Sequence, residues 1–146
     1  MVTVDMAVFG FFAGAPNVLL IQRAKNPFKG SWALPGGFIE IDEELSVAAA
    51  RELAEETGLV DVELEQLGAF GKCGRDPRGR VVSVVYLGIA NKTRLKAGDD
   101  AAAAKWFDIE KLPANLAFDH NHVVSVAVQR LKRKKIYRES RTHSRG

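Results

Sequence analysis

Three glutamates spaced i, i+3 and i+4 (Glu52, Glu55 and Glu56) constrain this chain more than any other feature of it. They lie in GFIEIDEELSVAAARELAEETGL, residues 37–59, whose alanines and leucines favour a helix. At about 100° per residue the three carboxylates fall within an arc of roughly 100° on one face. Like charges so placed repel by a few tenths of a kcal/mol per pair, so something has to offset the repulsion. A hard divalent cation would do so, since Mg²⁺ takes carboxylate oxygens, keeps several waters and shares its shell with substrate phosphates; a solvated acidic helix face is the plainer alternative. The same segment predicts how the helix starts, packs and ends. Asp42 is a suitable N-cap, Glu43 and Glu44 suit the positive end of the dipole, Leu45, Ala49 and Leu53 recur every four residues as a core stripe, and Gly58 suits the left-handed C′ position after Thr57.

Around this helix the pattern is one of strands. Val2–Phe12 and Val18–Gln22, joined by the turn chemistry of residues 13–17, predict a hairpin. After a loop over residues 23–31, WALPGGFIE predicts a short strand and a Pro-Gly-Gly turn leading to the helix. Val62–Lys72 and Arg80–Ala90 predict two more strands around an ordered loop, Ala101–Ala104 a bridging turn, and Lys105–Asp108 a short strand. Val124, Ala127, Val128 and Leu131 have helical spacing within residues 120–134. Strands, helix, strands, helix predict an α/β (α+β) architecture, a mixed central sheet with helices on its faces.

With 146 residues, 47% hydrophobic and 27% charged, the chain has the size and composition of one globular core, which excludes disordered and collagen-like classes. The expected division is a single domain over 1–135 and a basic, flexible tail over 136–146. Residues 130–146 hold eight Lys/Arg against one acid, so the net charge of +3 hides an acidic body. No apolar run approaches the ~20 residues of a membrane span, and Asp5 stands where a leader peptide would be basic, so a soluble, cytoplasmic protein is expected. The one cysteine, Cys73, cannot form an internal disulfide, agrees with a reducing compartment and has no visible base partner.

The punctuation around the glutamates narrows the reading. Gly37, five residues, Glu43, seven residues, then Arg51-Glu52-Leu53-Ala54-Glu55-Glu56-Thr57-Gly58-Leu59 matches every fixed position of the Nudix box, GX5EX7REUXEEXGU with U aliphatic. The chain therefore resembles the Nudix hydrolases, and the resemblance implies their α/β/α sandwich and hydrolysis of a nucleoside diphosphate linked to another group. It implies Mg²⁺, with Mn²⁺ as a possible substitute, held by Glu52, Glu55 and Glu56. These three and Arg51 form the expected catalytic set, one of the acids or a loop acid serving as base. Arg51 can hold a carboxylate in one rotamer, and carbonyls of the loop at Gly37 can join the metal shell.

Outside the box, LLIQRAKNPFKGSWALPGGFIE, GRDPRGRVVSVVYLGIA, AGDDAAAAKWFDIEKLP and LAFDHNHVV resemble the ADP-ribose pyrophosphatase branch and the related domains of NAD-metabolism enzymes and regulators. That resemblance implies cleavage of ADP-ribose to AMP and ribose 5-phosphate. Arg75, Arg78 and Arg80 cluster in one loop, where Asp76 can hold an arginine or accept from ribose hydroxyls, and Arg23 lies just past a strand where it can reach phosphate. Phe28 or Phe70 can stack on adenine or serve the core. The expected substrate-binding residues are Arg23, Gly37, Phe70, Arg75, Asp76, Arg78 and Asp100. Many Nudix enzymes carry a further acid before the late Trp; here Lys105-Trp106-Phe107 stands there, with Asp99 and Asp100 as the nearest substitutes. His120 and His122 read as capping or surface residues rather than ligands.

Two other functions remain open at this level: hydrolysis of another nucleotide sugar, dinucleotide or oxidised nucleoside triphosphate, and ADP-ribose sensing without turnover. Regulators of the second kind add a winged helix, which a chain ending at Gly146 is expected to lack. A homodimer on a small-molecule nucleoside diphosphate derivative is expected, with no membrane and no nucleic-acid partner.

Overall fold

The computed structural model describes residues 1–91, 94–95 and 101–144, with backbone alone at 102 and 140–144. Val2–Phe12 forms β1 and Ala15–Arg23 forms β2, followed by the short strands β3 (Trp32–Ala33) and β4 (Gly36–Phe38). Helix α1 (Leu45–Thr57), β5 (Leu64–Phe70), β6 (Val82–Ile89) and β7 (Ala101–Asp108) follow, then α2 (His120–Lys132) and α3 (Lys135–Ser144).

All seven strands join one mixed sheet, in which β1 runs parallel to β6 and the other pairs are antiparallel. β1 is buried on both faces, as its nearly unbroken apolar run requires. Val4, Met6 and Val8 face Ala48, Ala49 and Leu53 of α1, whereas Ala7 and Phe9 face Val123, Val124, Ala127 and Leu131 of α2. Two cores thus flank the sheet, giving the expected three-layer α/β/α sandwich.

One departure from a regular sheet creates the site. β1 and β2 pair only at their hairpin end, Phe9–Phe12 with Ala15–Val18. Beyond it they part, and residues 32–38 enter the gap, pairing first with Ile21 and Gln22 and then with Thr3–Asp5. The Met6 amide donates to the Pro35 carbonyl at 2.9 Å, closing the seam.

Several local expectations are corrected. Gly36 and Gly37 lie in β4 rather than in a turn, because the gap beside β1 supplies a partner strand. Ala101–Ala104 continues into Lys105–Asp108 as one strand, because β2 offers an unpaired edge along its length. Asp42 does not cap α1: the Glu40–Glu43 turn uses it, the cap position falls on Glu44 without a side-chain bond, and Glu43 and Glu44 precede the first turn. Gly58 has φ of 77° and donates to the Ala54 carbonyl, as the left-handed cap predicts. α3 carries helix through most of the basic segment 136–146. No helix among the described residues is long and apolar enough to cross a membrane.

Candidate active site

A cleft of about 400 Å³ opens where β1 and β2 part. α1 supplies one wall, with Glu52 and Glu56 one turn apart; β2 and residues 75–78 supply the other, with Arg23, Arg75, Asp76 and Arg78. Gly37 lies between them, and Thr3, Asp5, Leu34, Phe118 and His120 complete the lining.

Glu56 is only 7% exposed, and its Oε1 accepts the Gly36 amide at 2.8 Å. Burial, reinforced by the nearby charges of Glu52 and Asp5, pushes its carboxyl up to about 8 against the opposing pull of the Gly36 N–H and Arg23. Burial also raises Glu52, which shares a hydrogen bond with Glu56. Both shifts disfavour the charged carboxylates, and a cation bound beside them would favour that form. Gly37 is small for a reason: a Cβ there would come within 2.6 Å of Glu52 Oε1.

Arg51 is the hub behind this pair. Its Nε donates to Glu43 Oε2 at 2.6 Å and its Nη2 to Glu43 Oε1 at 2.8 Å, while Nη1 reaches Glu52 at 3.0 Å and Glu55 at 3.3 Å. The bidentate bond holds the Glu43 carboxyl down at about 2. Sequence spacing anticipates the Glu55 contact but not Glu43, eight residues back, because only the turn over 40–43 folds that side chain onto the helix. Glu55 is drawn toward Arg51 with its side chain 59% exposed, and it does not line the cleft. Among the described residues no three His, Cys, Asp or Glu side chains are grouped to hold an ion by themselves. Glu52 and Glu56, the α1 carboxyls that line the cleft, could hold Mg²⁺, an ion usually bound by one or two carboxylates plus substrate phosphates.

On the cationic wall, Arg75 is committed to structure: Nε and Nη2 grip Asp119 at 3.0 and 2.8 Å, Nη1 donates to the Val81 carbonyl, and its side chain is 3% exposed. Asp76 does what the loop composition allowed, holding Arg78 through Nε and Nη2. Arg78 lies over the rings of Phe38 at 4.6 Å and Phe118 at 5.1 Å, and Arg23 lies over Phe118 at 5.0 Å. Burial, and then repulsion from Arg78, lower the Arg23 pKa. Two guanidiniums therefore crowd one aromatic ring across from one buried and one half-buried carboxyl.

Phe70 is not brought to this cleft; it packs against the α2-side core with its ring 5.8 Å from His122. Phe28 meets Phe118 edge-on at 4.9 Å. Asp99 and Asp100 lie outside the described residues. Sequence reading passed over Asp5, Phe38, Phe118 and His120 as cleft residues. Asp5 carried a signal, a lone acid in an apolar strand; its carboxylate accepts from the Ser83 hydroxyl.

Comparison with known proteins agrees with this geometry. The family model described as NUDIX domain matches residues 1–127. An ADP-ribose pyrophosphatase of Methanocaldococcus jannaschii is 46% identical over 119 residues, 82% of this chain and 70% of that protein. The ADPR responsive transcriptional repressor NtrR of Acinetobacter baylyi is 40% identical over 141 residues, 94% of this chain and 56% of that protein. Among solved structures, the NUDIX domain of Shewanella oneidensis NrtR complexed with ADP ribose superposes with a TM-score of 0.82 at 36% identity, covering 90% of this chain and 88% of that one.

Proposed function

The chain belongs to the Nudix hydrolase family, and from that premise we propose that it hydrolyses ADP-ribose to AMP and ribose 5-phosphate in a reaction that depends on Mg²⁺, with Mn²⁺ able to substitute. The observation that carries this reading is the facing of two carboxyls, the half-buried Glu52 and the buried Glu56, by two crowded guanidiniums, Arg23 and Arg78, across one cleft. A diphosphate relieves both strains at once: its oxygens neutralise the arginines, and the cation it brings neutralises the glutamates.

Glu52 and Glu56 would hold the cation, and Glu55, on the same helix face, is the third donor of this proposal once it leaves Arg51. Bound there, the cation supplies charge neutralisation at the phosphate oxygens and a lowered pKa for water. Arg51, anchored on Glu43, keeps Glu52 in one rotamer. Arg23 and Arg78 orient the diphosphate and stabilise the charge that gathers on it during attack. Phe118 and Phe38 form the aromatic surface on which the Arg23 and Arg78 guanidiniums rest. Asp76 holds Arg78 beside them.

Purified protein incubated with ADP-ribose and, in parallel, with other nucleotide sugars, dinucleotides and 8-oxo-dGTP is expected to release AMP preferentially from ADP-ribose. EDTA should abolish the release, and Glu56→Gln should lower kcat by about a thousand-fold, in the range that loss of one electrostatic group costs a catalytic site. Turnover confined to another compound would replace the substrate and keep the chemistry. A second reading, sensing of ADP-ribose without turnover, is supported by the 40% identity to an ADPR-responsive repressor; calorimetric binding of ADP-ribose with no AMP released would favour it.

A further inference from the structure

We infer that His120 is a positioning residue for Glu56, acting through the backbone of Leu34–Gly36. His120 Nδ1 accepts the buried Leu34 amide at 3.0 Å, the Pro35 carbonyl accepts Met6 N–H at 2.9 Å, and the Gly36 amide donates to Glu56 Oε1 at 2.8 Å. Three consecutive residues are thus held by α2, β1 and α1 in turn. The carboxyl at the end of this chain of bonds is the buried glutamate of the cleft.

The start of α2 is fastened to the same stretch a second time, by the Ala117 amide on the Trp32 carbonyl at 2.8 Å. Lateral freedom is small as well: a Cβ on Gly36 would collide with Asp5 Oδ1 and the Val4 carbonyl. Leu34–Gly36 therefore has one available position, and the His120 bond sets where along the cleft the Gly36 N–H points. A ring at 2% exposure that merely filled space would leave the Leu34 amide buried and unpaired, at the full desolvation cost of that group. With Nδ1 as acceptor the neutral ring carries its proton on Nε2, which faces Asp5 Oδ1 at 3.7 Å. Burial lowers the His120 pKa and so favours this neutral form.

The inference rests on the reading of Glu56 as a working carboxylate of the cleft, and its test does not need ADP-ribose turnover. In the full ¹⁵N-labelled chain, long-range ¹H–¹⁵N correlation should find the His120 Nδ1 unprotonated and Nε2 protonated; the opposite tautomer overturns the inference. His120→Leu removes the acceptor, whereas His120→Asn sets an amide oxygen close to the Nδ1 position. The Leu variant should shift the Gly36 amide resonance and weaken Mn²⁺ binding, read by the electron paramagnetic resonance of free Mn²⁺, by about ten-fold, with the Asn variant recovering most of the loss. A folded His120→Leu protein with the Gly36 resonance and Mn²⁺ affinity of the native chain overturns it. Should the Leu variant fail to fold, His120→Gln, whose acceptor lies at the Nε2 position, takes its place with the same two outcomes. If the native protein turns over no ADP-ribose, the substrate proposal fails while these readouts still decide the role of His120.

Discussion

A carboxyl at about 8 changes how Glu56 couples to folding. The folded group binds its proton more tightly than the unfolded one, whose ordinary value is 4.5, so between about 4.5 and about 8 the folded state holds more protons. Stability then falls as pH rises across that window. His120 acts in the opposite sense: its lowered pKa makes stability fall as pH drops below the ordinary imidazole value of 6.5. The Glu56 contribution is therefore the difference between native and Glu56→Gln profiles of Tm against pH in EDTA. Native protein should lose stability relative to the variant as pH climbs through that window, and parallel profiles would contradict the shifted carboxyl. Mg²⁺ should remove the native protein's loss of stability across the window, because the cation takes the place of the proton and stabilises the folded state that binds it.

At the scale of elements, the two glycines of β4 do different work. Gly36→Ala drives a methyl group into the backbone of β1, so it should lower stability by roughly 1–3 kcal/mol in urea unfolding, as overpacking does. Gly37→Ala meets only the movable end of Glu52, so it should fold nearly as well as the native chain and lose activity by about ten-fold or more, a displaced carboxylate being a matter of positioning. Equal losses of stability in both variants would refute the distinction. These glycines also mark how far the sequence could be read. α1, its capping Gly58 and the strands β1, β2, β5 and β6 are legible because each is written in a local period or turn residue. Much of the cleft's charged lining is legible too, since Arg23, Glu52, Glu56, Arg75, Asp76 and Arg78 all reach it, as does Gly37. What is missing depends on long-range pairing. β4 and the first half of β7 are strands only because β1 and β2 leave edges open to them. Arg75 reads from its loop as a substrate-binding residue, and its bidentate partner Asp119, 44 residues away, comes into view only in the fold.

Across the whole molecule, the Arg75–Asp119 pair ties the loop after β5 to the start of α2, and so joins the cationic wall of the cleft to the α2 layer. Truncating either partner strands the other in a poorly solvated place, so Arg75→Ala or Asp119→Ala should each cost about 3 kcal/mol in denaturant unfolding. The double variant should cost clearly less than the sum, and additive losses would show that the two side chains act independently. The parting of β1 and β2 has a mechanical consequence as well. The carboxylate side of the cleft is built from hydrogen-bonded sheet and a helix seated on it, so widening the opening there means unzipping β4 from β1. The opposite bank, residues 24–31 and 71–81, runs between strands and is held by isolated contacts such as Arg75–Asp119 and Arg23 Nε to the Pro27 carbonyl rather than by a ladder. An anvil set in the sheet thus faces an exchangeable jaw, and exchanging the jaw would retune which ligand is gripped while the cutting edge stays as it is.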